Sequence, residues 1–162
     1  MLRCFFMRIN KRLLVSCIAL PLLVGGAAAL LTRESMQVFE MVNKPPLSPP
    51  AWLFPVAWTL LYSLMGLATY FMLTATAENQ EKKQALSVYI YQLVVNFLWP
   101  TFFFNLQWYL FSFLWLLLLW VLVLVTLLRY YNISKIAGYL LVPYLVWLTF
   151  AAYLNLGIWL LN

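Results

Sequence analysis

The sequence predicts an all-α integral membrane protein, one bundle of five transmembrane helices. Three observations carry this. Of its 162 residues, 66% are apolar and only 9% charged, against roughly 25% charged in soluble domains. A soluble fold of this size still exposes roughly 30% of its unfolded surface, so a bilayer is the solvent that suits this composition. Five apolar runs come near the roughly 20 residues that cross the hydrocarbon: Leu13–Leu31, Ala51–Thr74, Ala85–Phe104, Trp108–Tyr130 and Ile136–Leu161. The charges sit between the runs, in TRESMQVFEMVNK, TAENQEKKQ and RYYNISK, while the uncharged NLQ joins the third run to the fourth. Short turns force antiparallel neighbours, so residues 1–162 form a single domain.

The first run follows a basic tail at residues 1–12, MLRCFFMRINKR. A basic start, an apolar stretch and Ala27-Ala28-Ala29 also resemble a secretory signal with its cleavage site. The run continues through Leu30 and Leu31, which makes it long enough to span.

Residues 32–50 form the next connector, and its second half is unusually rich in proline. Each proline ring fixes φ and disfavours helix in the residue before it. Pro45, Pro46, Pro49 and Pro50 therefore predict an extended, stiff segment after Lys44, with Ser48 placed to cap the following helix. Two roles are open to it: a rigid connector between the first two spans, or a pre-ordered strap closing one mouth of the bundle.

Polar residues inside the spans are sparse and regularly placed. Trp58, Tyr62, Met65 and Thr69 recur at helical spacing in the second span. Gln92, Asn96, Trp99 and Phe103 do so in the third, and Tyr144, Trp147, Ala151 and Asn155 in the fifth. Each set lies on one helix face. The fourth span differs: from Phe111 to Leu128 it offers only Ser112 and Thr126, with Trp115 and Trp120, and reads as a helix facing lipid or another subunit.

The amides have two readings. Gln92, Asn96 and Asn155 serve as interhelical glue, contributing on the order of 1 kcal/mol each, or they line a pocket and meet a ligand. Spacing alone favours glue. Trp52, Trp108 and Trp159 stand at span ends, where tryptophan anchors to the interface. Trp58, Trp99 and Trp147 lie deeper, on the faces that carry the amides. Converging rings with a few polar groups suit a large, flat, conjugated ligand. Pro100 and Pro143 deprive the carbonyls of Asn96 and Tyr139 of their helical partners; this either bends the helices or presents acceptors to a cavity.

The net charge of +6 is spread over span ends and is not a nucleic-acid footprint. Cys4 and Cys17 suggest neither a disulfide nor a metal site, and the absence of histidine removes the commonest metal ligand and acid–base group. Eight basic residues, Arg3, Arg8, Lys11, Arg12, Lys82, Lys83, Arg129 and Lys135, fall on one side, and two, Arg33 and Lys44, on the other. In a bacterial inner membrane that asymmetry puts the N-terminus in the cytoplasm and the proline segment outside; an outer or organellar membrane is also compatible with the composition.

LPLLVGG in the first span, KPPLSPPAWLFPVAWTLLYSLMGLATY, YQLVVNFLWPTFFF and PYLVWLTFAAYLN together resemble the TspO/translocator protein family. These tryptophan-rich sensory proteins include the mitochondrial peripheral benzodiazepine receptor. The resemblance implies a five-helix bundle, commonly a homodimer, with a pocket between helices and the first loop, residues 32–50, as its lid. It implies Trp58, Tyr62, Asn96, Trp99, Trp147, Ala151 and Leu154 as pocket residues, with Trp58 and Trp147 beside a porphyrin. No cofactor is required, and a porphyrin or haem-like tetrapyrrole is the implied ligand. Without histidine a metal-free porphyrin is the better fit, its carboxylates reaching Lys44 or Arg33. Departures are visible. Val38-Phe39 stands where an aromatic pair is usual, and Phe111, Leu114 and Trp115 are bulkier than in many relatives, so they narrow the pocket or alter a dimer face. The basic residue of a sterol-recognition pattern is absent after Tyr153, so sterol ranks below tetrapyrrole. The functions this implies are tetrapyrrole transport or sensing; light-driven porphyrin oxidation relayed by Trp58 and Trp147; or a scaffold acting on partners through the fourth span.

Overall fold

The structure is a computed structural model that describes residues 9–162, apart from the side chains of Met36 and Val38. Arg3, Cys4 and Arg8 of the basic tail lie outside the described residues. Six α-helices follow in order: α1 Lys11–Thr32, α2 Met36–Met41, α3 Leu53–Thr74, α4 Asn79–Pro100, α5 Tyr109–Ile133 and α6 Lys135–Leu161. All but α2 are long and apolar enough to cross a membrane. At 1.5 Å per residue, the 22 residues of α1 reach about 33 Å, against a hydrocarbon core of about 30 Å.

The helix ends differ from the apolar runs for a simple reason: hydropathy marks where lipid begins, whereas a helix continues while its backbone bonds are satisfied. α1 starts at Lys11 because the Asn10 side chain accepts from the Leu13 amide at 3.2 Å. α4 starts at Asn79, within the charged connector, and Lys82 Nζ donates to the Leu73 carbonyl at 2.9 Å, closing the end of α3. α6 is capped by Ser134, whose hydroxyl accepts from the Ala137 amide at 3.4 Å.

The two proline expectations resolve differently. After Pro100 the α-helix gives way to a π-helical turn, Thr101–Asn105, where the Leu106 amide donates to the Thr101 carbonyl at 3.0 Å. α6 runs unbroken through Pro143.

α5 corrects the reading of the fourth span. Ser112, Leu116, Leu119, Val123, Thr126 and Tyr130 are buried at alternating spacings of four and three, forming a seam against α6 and α4. Leu110, Leu114, Leu117, Val121 and Leu128 on other faces are exposed. In an all-apolar helix, hydropathy cannot separate a core face from a lipid face; only the small polar Ser112 and Thr126 mark the seam.

A close backbone approach joins α1 to α3. A Cβ on Gly66 would run into the backbone of Cys17 and Ile18, so glycine there lets the two helices touch main chain to main chain. α1 packs extensively on α3 and only lightly on α4.

The connector at 32–50 is not one extended strap. It contains α2, and it turns at Pro46-Leu47, with Leu47 at φ 66°. Ser48 does not cap α3; its hydroxyl donates back to the Pro45 carbonyl at 2.7 Å and tightens the turn. Proline restricts its own φ and the residue before it, but a turn satisfies both restrictions. The segment is fastened to the far end of α6. The Asn43 amide donates to Asn162 Oδ1 at 3.0 Å, Asn162 Nδ2 donates to the Asn43 carbonyl at 3.0 Å, and the Tyr153 hydroxyl donates to the Pro46 carbonyl at 2.8 Å. Pro45 lies over Gly157, 2.6 Å from where a Cβ would stand.

Candidate functional site: an aromatic cavity between α1, α3, α4 and α6

The half of the bundle nearest α2 encloses a cavity of about 190 Å³. α3 contributes Phe54, Pro55, Trp58 and Tyr62, one helical stripe. α4 and its π turn contribute Asn96, Trp99, Pro100 and Phe104, and α6 contributes Trp147 and Ala151. Six of the seven expected pocket residues therefore share one cavity. Leu154 is the exception: it is buried on α6 but does not line the space.

A wall that sequence reasoning missed comes from α1: Gly25, Ala28, Ala29 and Thr32. Their spacing of three and four puts them on one face, and their small size is what leaves room. Part of the signal was present in Ala27-Ala28-Ala29, read only as a cleavage-site resemblance. Gly25 has a particular reason to be glycine, because a Cβ there would collide with the Tyr62 ring.

Polar groups at the wall are held by their neighbours. Asn96 Nδ2 donates to the Tyr144 hydroxyl at 2.7 Å, Tyr144 donates to Gln92 Oε1 at 3.2 Å, and the Tyr62 hydroxyl donates to Asn96 Oδ1 at 3.4 Å. This chain crosses from α3 through α4 to α6. Gln92 and Asn155 are glue, the latter donating to Ser112 Oγ at 3.3 Å. Asn96 is both glue and wall.

Two indoles are left without partners. Nε1 of Trp99 and Nε1 of Trp147 are buried and donate to nothing among the described residues. Leaving a donor unsatisfied costs about 1–3 kcal/mol, and neither nitrogen faces open space in this form. The rings themselves are braced: Trp58 stacks on Tyr62 with centroids 5.5 Å apart, Trp99 on Phe103 at 5.2 Å, and Phe54 meets Trp147 edge-on at 6.1 Å.

No charged side chain lines the cavity among the described residues. Arg33 follows Thr32 of the wall by one residue, and Lys44 Nζ stands 4.6 Å above the Phe39 ring. Charge is thus kept just outside an apolar interior.

The proline segment does not form the roof that was expected. Lys44, Pro45, Pro46, Pro49 and Pro50 do not line the cavity; Phe39 of α2 packs behind its wall, on Phe54 at 5.6 Å and Phe104 at 5.9 Å. Phe111 and Leu114 are exposed, and Trp115 is held by donating to the Val95 carbonyl at 2.8 Å. These bulky α5 residues do not enter the cavity.

Five helices long and apolar enough to cross a membrane, four of them around a tryptophan-walled hollow, define a multi-pass membrane protein. The comparisons give the lineage. The family model for the TspO/MBR family matches residues 17–160. The chain is 37% identical to the tryptophan-rich protein TspO of Chlorobaculum tepidum over 156 residues, covering 94% of this chain and 99% of that protein. It is 40% identical to the TspO of Archaeoglobus fulgidus over 150 residues (92% and 96%), and 34% identical to the translocator protein of Bos taurus over 142 residues (86% and 84%). The chain belongs to the TspO/MBR family.

Proposed function

We infer that this protein is a membrane receptor or carrier for a tetrapyrrole, with metal-free porphyrin the preferred form. The observation that carries the reading is the pairing of Trp58, Trp99 and Trp147 around one cavity, with two buried indole N–H groups that lack an acceptor. Flat π-surfaces stack a conjugated ring; the unpartnered donors take an oxygen of one carboxylate arm, and Arg33 and Lys44 stand outside for the other. The names of two relatives, a translocator protein and a tryptophan-rich sensory protein, fit handling of a small molecule.

Size sets a condition on this reading. Pockets that bury drug-sized ligands run to roughly 300–1,000 Å³, and the cavity holds about 190 Å³. On this reading the cavity enlarges when the ligand binds.

The basic residues at the ends of the spans support an orientation with the N-terminus in the cytoplasm and α2 outside.

Titrating the purified protein with protoporphyrin tests the proposal. Saturable tryptophan quenching is expected, weakened at least tenfold in the Trp58→Leu/Trp147→Leu variant. Equal quenching in the two proteins rejects the assignment. The same titration under light and oxygen tests porphyrin oxidation: faster Soret decay than free porphyrin, with a new product, would make the protein an enzyme.

A further inference from the structure

A porphyrin needs more room than about 190 Å³, so one wall of the cavity has to give, and the walls are not equally fastened. Those from α3, α4 and α6 are tied together by the hydrogen bonds of Tyr62, Asn96, Tyr144 and Gln92. Behind them Trp115 holds α5 to α4 through the Val95 carbonyl, and Trp120 Nε1 donates to Thr149 Oγ1 at 2.9 Å between α5 and α6. The fourth wall is Gly25, Ala28, Ala29 and Thr32 of α1. Among the described residues a single hydrogen bond ties α1 to another span: Asn105 Nδ2 donates to the Leu31 carbonyl at 3.2 Å.

α1 is weakest where that wall begins. Pro21 has no N–H, so the Cys17 carbonyl lacks its helical partner, and Gly25-Gly26 follows one turn later; helices kink at such positions. On the N-terminal side α1 is pinned, with the backbone of Cys17 and Ile18 against Gly66. On the C-terminal side Leu30 and Leu31 are 74% and 59% exposed, and lipid tails replace whatever contacts an apolar helix gives up. The magnitudes agree. A tilt of about 15–30° at Gly26, over the roughly 9 Å to Thr32 and across a helix about 10 Å wide, adds on the order of 100–200 Å³. That carries the cavity into the range of ligand-burying pockets, roughly 300–1,000 Å³. Thr32 then moves by about 2–5 Å, which the turn at 33–35 absorbs while Phe39 of α2 stays packed on Phe54.

We propose that residues 26–32 of α1 are the movable wall of the site, swinging outward about Gly25-Gly26 to admit the tetrapyrrole, with Asn105 as the latch that holds the wall shut. The inference rests on the reading of the cavity as a porphyrin site. Latch and hinge bias one equilibrium between shut and open forms, and apparent affinity scales with the open fraction. Removing the latch therefore destabilises the ligand-free protein and tightens binding. Stiffening the hinge does the reverse. Neither Asn105 nor Gly26 lines the cavity, and Gly26 has open space around it, so a change in affinity at either position does not come from a lost ligand contact.

Protoporphyrin titrations of Asn105→Ala and Gly26→Ala, each paired with a thermal melt, test this. Asn105→Ala is expected to melt lower yet bind about three- to tenfold more tightly, the scale of one net hydrogen bond. Gly26→Ala is expected to melt at or above the wild type yet bind about fivefold more weakly, the scale of the glycine-to-alanine difference in a helix. Spin labels on Leu30→Cys and Val146→Cys, both exposed positions, read the motion directly in a Cys4→Ser/Cys17→Ala background. Their separation should grow by about 2–5 Å when porphyrin saturates the protein, while labels on Val15→Cys and Val146→Cys keep theirs. Affinities within twofold of wild type in both variants, or an unchanged Leu30–Val146 separation in the saturated protein, overturn the hinge and leave the cavity reading standing. No saturable quenching in the wild type overturns the cavity reading, and the hinge with it.

Discussion

Asn96 donates to the Tyr144 hydroxyl at 2.7 Å while lining the cavity, so one amide both ties α4 to α6 and sets the polarity of the site. Removing it separates those roles by magnitude. Asn96→Leu leaves the Tyr62 hydroxyl without its acceptor, and such a loss costs about 1–3 kcal/mol. The expected outcome is a lower melting temperature in detergent together with weaker porphyrin binding. Gln92→Leu also breaks a bond to Tyr144 but lies off the cavity, so it should lower melting and spare affinity.

Replacing Trp99 or Trp147 by Phe gives effects of opposite sign. Each indole N–H is an unsatisfied buried donor, so its deletion should leave the ligand-free protein as stable or more stable. Affinity for porphyrins with free carboxylates should fall, by the roughly 1–3 kcal/mol a lost bond represents. A thermal melt and a titration on the same variant check both signs; loss of stability in the ligand-free protein would show that the indoles are structural.

Glycines at 66 and 26 predict contrasting outcomes from the same substitution. Gly66→Ala forces a Cβ into the backbone of Cys17 and Ile18, and overpacking of this kind costs about 1–3 kcal/mol. Gly26 has open space around it, so Gly26→Ala should be neutral or stabilising by up to about 1 kcal/mol. Melting curves of the two variants decide.

Gly157→Ala should loosen the proline segment without touching the cavity. Its new Cβ would press on Pro45 at 2.6 Å and strain the contacts of Asn43 and Tyr153 nearby. Faster hydrogen exchange across 43–50 is expected, with exchange in α3 and α4 unchanged.

Much of this was legible in the sequence, and the omissions have physical causes. Hydropathy gave five spans because length and apolarity are sufficient signals in a bilayer. The polar stripes through Tyr62, Asn96 and Trp147 pointed inward because a polar residue in hydrocarbon needs a partner. The α1 wall escaped notice because Gly25, Ala28 and Ala29 announce themselves only by what they lack. The core face of α5 was hidden for the reason that lipid and protein interior are equally apolar. α2 was missed within a charged connector, where one buried aromatic, Phe39, settles the conformation.

The most direct test of the central claim is to locate bound protoporphyrin in the protein embedded in a lipid nanodisc. The account predicts the ring lying between Trp58 and Trp147, with a ligand oxygen within about 3.2 Å of the Trp99 or Trp147 indole nitrogen. A ring found solely on the lipid-facing surface, with the cavity between Phe54 and Trp147 unchanged, would contradict it.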